Sequence, residues 1–269
     1  MHQPPSKAPT SPELLRGPAP RRRAPGAALA LLLAAASLLL PPPAAAAAWW
    51  QPKASEGLVF SYDLGRSGDS IPDALASKSV IFLDGESTSA AAVDAVHAGG
   101  AKAVCYFSAG SVEKCEAPAG LRMSDCAAKG FDAVDPDNVD GWDGNDTGFQ
   151  ISAADQIAYN TWLATTAHGL GLGCGLKNDV NQIADLAPSF DFFVNEQCMQ
   201  YEECGMYSPA LKANKPVFNI EYKSKGFTRS CRCQALYGLT TNKANLKLTK
   251  QKQCPAKLLN SKCPYSSRR

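Results

Sequence analysis

Histidine is nearly missing. The 269 residues contain three, and beyond the first 48 residues only His97 and His168 remain. That works against a zinc site and against a Ser or Cys nucleophile activated by imidazole. Both histidines fall near the C-terminal ends of helical patterns, where they are expected to satisfy helix ends rather than catalyse. No CxxC pair has zinc-finger spacing, and no GxGxxG follows the first strand-like run, so a dinucleotide fold has no phosphate-binding turn. No cofactor is expected. Past residue 48 no stretch is apolar enough to cross a bilayer. Acidic residues are missing altogether from residues 223–269, which hold 12 Lys and Arg.

The first 48 residues have the layout of a secretory leader. Arg21, Arg22 and Arg23 precede an apolar run over residues 27–40, and small residues follow at 44–48. The long polar lead keeps an uncleaved signal anchor open. The expected organisation is a leader over 1–48, a catalytic-type domain over 49–250 and a basic Cys-containing tail over 251–269. All ten Cys lie past the leader, which fits an oxidising compartment and disulfides. Cys198 and Cys204 are close enough to pair across a loop. Asn145 opens the one glycosylation sequon, Asn-Asp-Thr.

The formal net charge of +2 is a poor guide to the body. Residues 49–222 carry 24 acidic and 10 basic side chains. Such a surface favours a cationic or neutral partner and disfavours nucleic acid.

Eight short apolar runs recur from residue 58, and helical patterns lie between them. Strand–helix alternation with continuous apolar strands predicts a parallel sheet covered by helices, and eight strands predict a (β/α)8 TIM barrel. Asp63, Asp84, Ser108, Asp135, Asp137, Asn138, Lys177, Asn178, Asn195, Glu196, Glu221 and Tyr222 all fall at strand ends, which a barrel gathers around one mouth. Residues 131–141 stand out: four acids in nine residues, with no Lys or Arg among them. Carboxylates crowded at a mouth push their pKa values apart, as glycosidic cleavage requires of one acid and one nucleophile or base. Asp137 and Glu196 are the leading pair, and Lys177 is placed to keep a neighbour ionised. A calcium loop on Asp135, Asp137 and Asp140 lacks the terminal Glu. Trp49, Trp50, Tyr62, Tyr106, Trp142 and Tyr222 are candidates for stacking on sugars.

The segments CYFSAGS (105–111), KGFDAVDPDNVDG (129–141), NDTGF (145–149), GLKND (175–179), FVNEQCMQYEEC (193–204) and KPVFNIEY (215–222) resemble glycoside hydrolase family 114, in order, over residues 58–222. The resemblance implies a TIM-barrel endo-α-1,4-polygalactosaminidase, retaining and endo-acting, with a polysaccharide of cationic or neutral amino sugars as partner and the protein acting as a monomer. By motif, Asp137 resembles the nucleophile and Glu196 the acid/base. Asp84, Tyr106, Asn138, Asp140, Lys177, Asn178 and Glu221 match positions expected to line the cleft, and Asp63 and Tyr222 join them as strand-end candidates. Asp135 as nucleophile stays open, because residues two apart on a strand face the same way. One departure is expected. The family carries a longer stretch between strands 3 and 4, and this crossover is shorter by roughly thirty residues, though still above the dozen that a parallel crossover needs. The second reading is therefore a catalytically weak carbohydrate-binding barrel.

Overall fold

Val, Ile, Phe and Leu fill the short runs in consecutive positions, so both faces of each strand must be buried. In the computed structural model, which describes residues 48–65, 77–111, 117–144 and 147–264, these runs form parallel strands. They are β1 (Phe60–Asp63), β2 (Val80–Asp84), β3 (Lys102–Ser108), β4 (Ala133–Asp137), β5 (Gly173–Lys177), β6 (Phe192–Glu196), β7 (Val217–Glu221) and β8 (Thr240–Ala244). A short antiparallel β9 (Gln251–Gln253) follows. Sheet order equals chain order throughout, the signature of a TIM barrel. Residues 1–47 of the leader, Asn145 and Cys115 lie outside the described residues.

Helices cover the outside. Among them are α1 (Ala90–Ala98), α2 (Ala119–Ala128), α3 (Ala153–Gly169), α4 (Ile183–Leu186), α5 (Cys198–Tyr201), α6 (Ser208–Lys212), α7 (Ser224–Tyr237) and α8 (Ala256–Leu259). The Ser152 side chain caps α3 and Asp155 reciprocates, a capping box that fixes where the helix begins. The short β3–β4 crossover still carries a ten-residue helix, α2, and a Cys105–Cys126 disulfide pins it to β3. Val104 pairs with Ala133 and Ser108 with Asp137, so β4 docks in register despite the shortening.

Two apolar clusters follow strand parity. Phe60, Tyr62, Val80, Phe82, Val104, Ala133, Phe192, Val194, Phe218 and Ile220 fill the barrel interior. Ile81, Leu83, Cys105, Val134, Leu176, Phe193 and Val217 face the helices.

The seam between β8 and β1 is sewn by side chains. The Gln251 amide accepts from Tyr62 N–H at 2.9 Å and donates to Tyr62 C=O at 2.5 Å, as a peptide group on a neighbouring strand would. Asn242 Nδ2 donates to Phe60 C=O at 2.8 Å. Residues 251–264 are thus built into the body. Disulfides Cys231–Cys254 and Cys233–Cys263 tie them to α7.

Candidate active site

Parity decides which strand ends reach the mouth. Counting in twos along the inward face from Val104, Ala133, Val194 and Ile220 leads to Tyr106, to Asp135 and Asp137, to Glu196 and to Tyr222. On β5 the last residue, Lys177, turns inward among them.

Lys177 is the centre of the site. Only 2% of its side chain is exposed, and its Nζ lies 3.1 Å from Asp137 Oδ1 and 3.2 Å from Glu196 Oε2. The rings of Tyr62 and Tyr106 lie 5.6 and 5.8 Å from the same ammonium and present π-faces to it. Burial pulls the Lys177 pKa down, but Asp137, Glu196 and Asp135 outweigh it and raise it above the ordinary lysine value. Lys177 is therefore a fixed cation.

The two carboxylates it bridges are held differently. Asp137 also accepts from the Tyr106 hydroxyl at 2.7 Å and from Asn138 N–H at 2.8 Å. Burial pushes its pKa up, but Lys177, Tyr106 and Asn138 together hold it below the ordinary carboxylate range. Glu196 is more open, with 28% of its side chain exposed, and accepts from the Tyr222 hydroxyl. Two oxygens held 3.1 and 3.2 Å from one nitrogen are separated by no more than the sum of those distances, about 6.3 Å.

Asp135 lies beneath this pair and is fully buried. Tyr62 donates to its Oδ2 at 2.8 Å, and among the described residues its Oδ1 has no hydrogen-bond partner. Burial raises it to about 7, with Lys177 opposing and Asp137 adding to the rise. Asp135 is out of reach of solvent, whereas Asp137 and Glu196 are not.

The other strand-end residues are dispersed. Asn138 adopts φ +61° and donates through Nδ2 to Ser108 Oγ at 2.8 Å. Its carbonyl sits so close to Gly110 that any Cβ there would overlap it. Asn178, also at positive φ, accepts from Glu196 N–H at 3.0 Å and so positions the backbone of Glu196 from behind. The Asp84 carboxylate caps its own turn, accepting from Ser87 N–H and Oγ at 2.8 and 2.7 Å. Asp63 is buried on the opposite face of β1 from Tyr62. Glu221 is buried behind β7, where it accepts from Met199 N–H at 2.9 Å and packs against Gly226. Asp140 is half-buried, and burial and then Asp137 raise its pKa. Burial also raises Asp179, to about 6, and Glu203. Trp142 and Asn160 hold Asp179 at 2.9 Å each. These three acids extend the negative potential of the mouth over the β4–β6 side. The sequence reading had not singled out Asp179 or Glu203. Their signal was modest: Asp179 stands two residues past the end of β5, and Glu203 closes the Glu202-Glu203 pair in the loop after β6.

Trp49 and Trp50 lie at the other end of the barrel. Trp49 stacks on His168 and donates to Asp191 at 3.1 Å, and Trp50 packs on Phe192 at the start of β6. His97 pairs with Asp132 at that same end, ahead of β4. Cys198 and Cys204 form a disulfide just after Glu196. Among the described residues, no three His, Cys, Asp or Glu side chains form a metal-binding group.

The arrangement suits proton and nucleophile chemistry shared between two carboxylates, one half-buried and held as an anion and one more open to solvent. Comparisons agree with that class. The model of glycoside-hydrolase family GH114 matches residues 40–121 and 116–258, and the two matches meet in the β3–β4 connection. The crystal structure of Aspergillus fumigatus Ega3 in complex with galactosamine is similar at 26% identity and TM-score 0.68, over 77% of this chain and 98% of that one. The glycoside hydrolase domain of PelA from Pseudomonas aeruginosa shares the fold, with TM-score 0.51 and 13% identity over 71% of this chain and 96% of that one. No curated protein matches the chain significantly.

Proposed function

This chain belongs to glycoside-hydrolase family GH114, and from that premise we propose that it cleaves α-1,4-linked galactosamine polymers, with Asp137 as nucleophile and Glu196 as acid/base. The observation that carries the reading is the unequal set of donors on the two carboxylates that Lys177 bridges. Asp137 has three donors and is held as an anion, fit to attack the anomeric carbon. Glu196 has Lys177 and Tyr222 and faces solvent, so it is the group able to hand a proton to the leaving oxygen and later take one from water.

The limit of about 6.3 Å between their bridged oxygens supports a retaining course. Inverting pairs stand roughly 6.5–9.5 Å apart to admit a water, and retaining pairs roughly 5–5.5 Å. Attack by Asp137 then forms a glycosyl ester as Glu196 protonates the departing sugar oxygen, and water activated by Glu196 breaks that ester. Tyr106 donates to Asp137 Oδ2, which leaves the choice of attacking oxygen to the geometry of the bound sugar. Asp135 remains beneath as a buried neighbour and does not touch the sugar.

Galactosamine specificity rests on the likeness to Ega3 and on charge. A deacetylated polymer is cationic, and Asp140, coupled in charge to Asp137, with Asp179 and Glu203 coupled to Asp140, makes this side of the barrel negative. Four disulfides among the described residues support export, with the leader over residues 1–48 removed or retained as an anchor and Asn145 glycosylated. Cleavage is endo-acting, and the protein acts as a monomer.

The test is incubation with deacetylated α-1,4-galactosamine polymer, followed by sizing of the products. Early release of mixed oligomers with new reducing ends is expected. Binding of the polymer without any new reducing ends would reassign the chain as a carbohydrate-binding barrel.

A further inference from the structure

Residues 223–264 contain ten Lys and Arg and no Asp or Glu. As a floppy extension such a run would need no explanation. It is not floppy. Two disulfides staple Cys254 and Cys263 to α7, which opens the run, and β9 pairs with β8. The register sets Lys243 directly opposite Lys252. Like charges facing each other across two strands are unfavourable. Lys243 Nζ turns to Ser224 Oγ at 2.6 Å and Lys252 lies 5.4 Å over the Phe227 ring, and among the described residues no carboxylate pairs with either. Among the described residues, the acid that lies within ion-pair distance of these ten is Glu202, 3.9 Å from Arg229.

The turn joining β8 to β9 adds a second feature. It is rigid. Asn245 N–H donates to Lys250 C=O, Leu248 N–H to Asn245 C=O, and Lys250 N–H to Asn245 Oδ1, all within 3.1 Å. Leu246, at its tip, is 83% exposed, and Lys247 and Lys250 flank it. A convex turn with an apolar tip and a basic collar suits the headgroup region of an anionic bilayer, where the apolar group enters and the lysines meet phosphate and carboxylate. A soluble acidic chain would use the charges and gain nothing from the Leu246 tip.

We propose that the β8–β9 turn and the adjoining face of α7 dock this protein peripherally on anionic lipid bilayers. β8 runs parallel to β4 and β6, so its C-terminal end and the turn lie at the mouth end of the barrel. Docking therefore holds the cleft at the lipid surface. The acidic β4–β6 side and the basic β7–β9 side divide the mouth between polymer and membrane.

Co-sedimentation of the full chain with two vesicle types tests this: phosphatidylcholine alone, and equal parts phosphatidylcholine and phosphatidylserine. Binding to the mixed vesicles only, weakened by salt, is expected. Neutralising two lysines with Lys247→Gln and Lys250→Gln should lower partitioning about thirtyfold, taking each surface lysine at ~1 kcal/mol. Leu246→Ser should lower it further at unchanged charge. All three positions lie on the turn, outside the catalytic centre, so polymer hydrolysis and melting temperature should stay at wild-type values. Equal binding to both vesicle types, or partitioning unchanged by the lysine pair, overturns the proposal. So does retention on heparin, indifferent to Leu246→Ser, with no vesicle binding; that result would assign the face to acidic glycans.

Discussion

Lys177 and Asp137 form a buried ion pair, Nζ to Oδ1 at 3.1 Å, and it is the reason Asp137 stays ionised in a site where burial alone would protonate it. Lys177→Met removes the cation and keeps the bulk. Burial then acts on Asp137 without its main opponent, so its pKa rises. The acid limb of the kcat/KM profile should move to higher pH, and kcat/KM at the optimum should fall by roughly a hundredfold or more. Folding should weaken by about 3 kcal/mol in urea, because the carboxylates lose their shared partner. An unshifted acid limb would show that Lys177 does not set the charge on Asp137.

Asp135 makes stability depend on pH in the opposite sense from Asp137. Its folded pKa is about 7, above the ordinary carboxylate value, so the folded protein keeps a proton that the unfolded chain releases. Stability must then fall as pH rises from about 4 toward about 7. For Asp137, held low, the stabilising contribution is present above the ordinary carboxylate pKa and is lost only in stronger acid. Asn at 135 cannot ionise. The melting temperature of Asp135→Asn, relative to wild type, should therefore climb between about pH 4 and about pH 7 and level off above that. A constant or shrinking difference would mean that Asp135 ionises freely.

Strand parity explains what could be read from the sequence alone. The eight strands, the shared face of Asp135 and Asp137, and the meeting of Asp137, Glu196 and Lys177 all follow from short apolar runs with polar ends. Rules about strand ends do not say which face a residue takes. Glu221 ends β7 just as Glu196 ends β6, yet Phe218 and Ile220 point inward, so Glu221 points out. Counting in twos would have sorted them. Cys198–Cys204 was legible from its short spacing, but the other three disulfides were not, since their pairing depends on where α7 and α2 lie in space. Nor was the β8–β1 seam, where a glutamine side chain takes the place of a strand.

That seam can be tested directly. Gln251 makes two hydrogen bonds to the Tyr62 backbone, and each is worth about 1 kcal/mol net. Gln251→Ala should cost about 2 kcal/mol in denaturant midpoint analysis. Gln251→Glu keeps the acceptor and loses the donor, so it should fall between wild type and the Ala variant. Wild-type stability in Gln251→Ala would mean that the barrel closes without this amide.

The pairing of Asp137 with Glu196 is tested most directly by steady-state release of reducing ends from deacetylated galactosamine polymer, with wild type, Asp137→Asn and Glu196→Gln measured side by side. Each substitution keeps the shape of the side chain and removes its ionisation. The expected result is turnover by wild type and a loss of at least roughly a hundredfold in both variants, with melting curves that show a folded protein. Near-normal turnover in either variant would contradict the assignment.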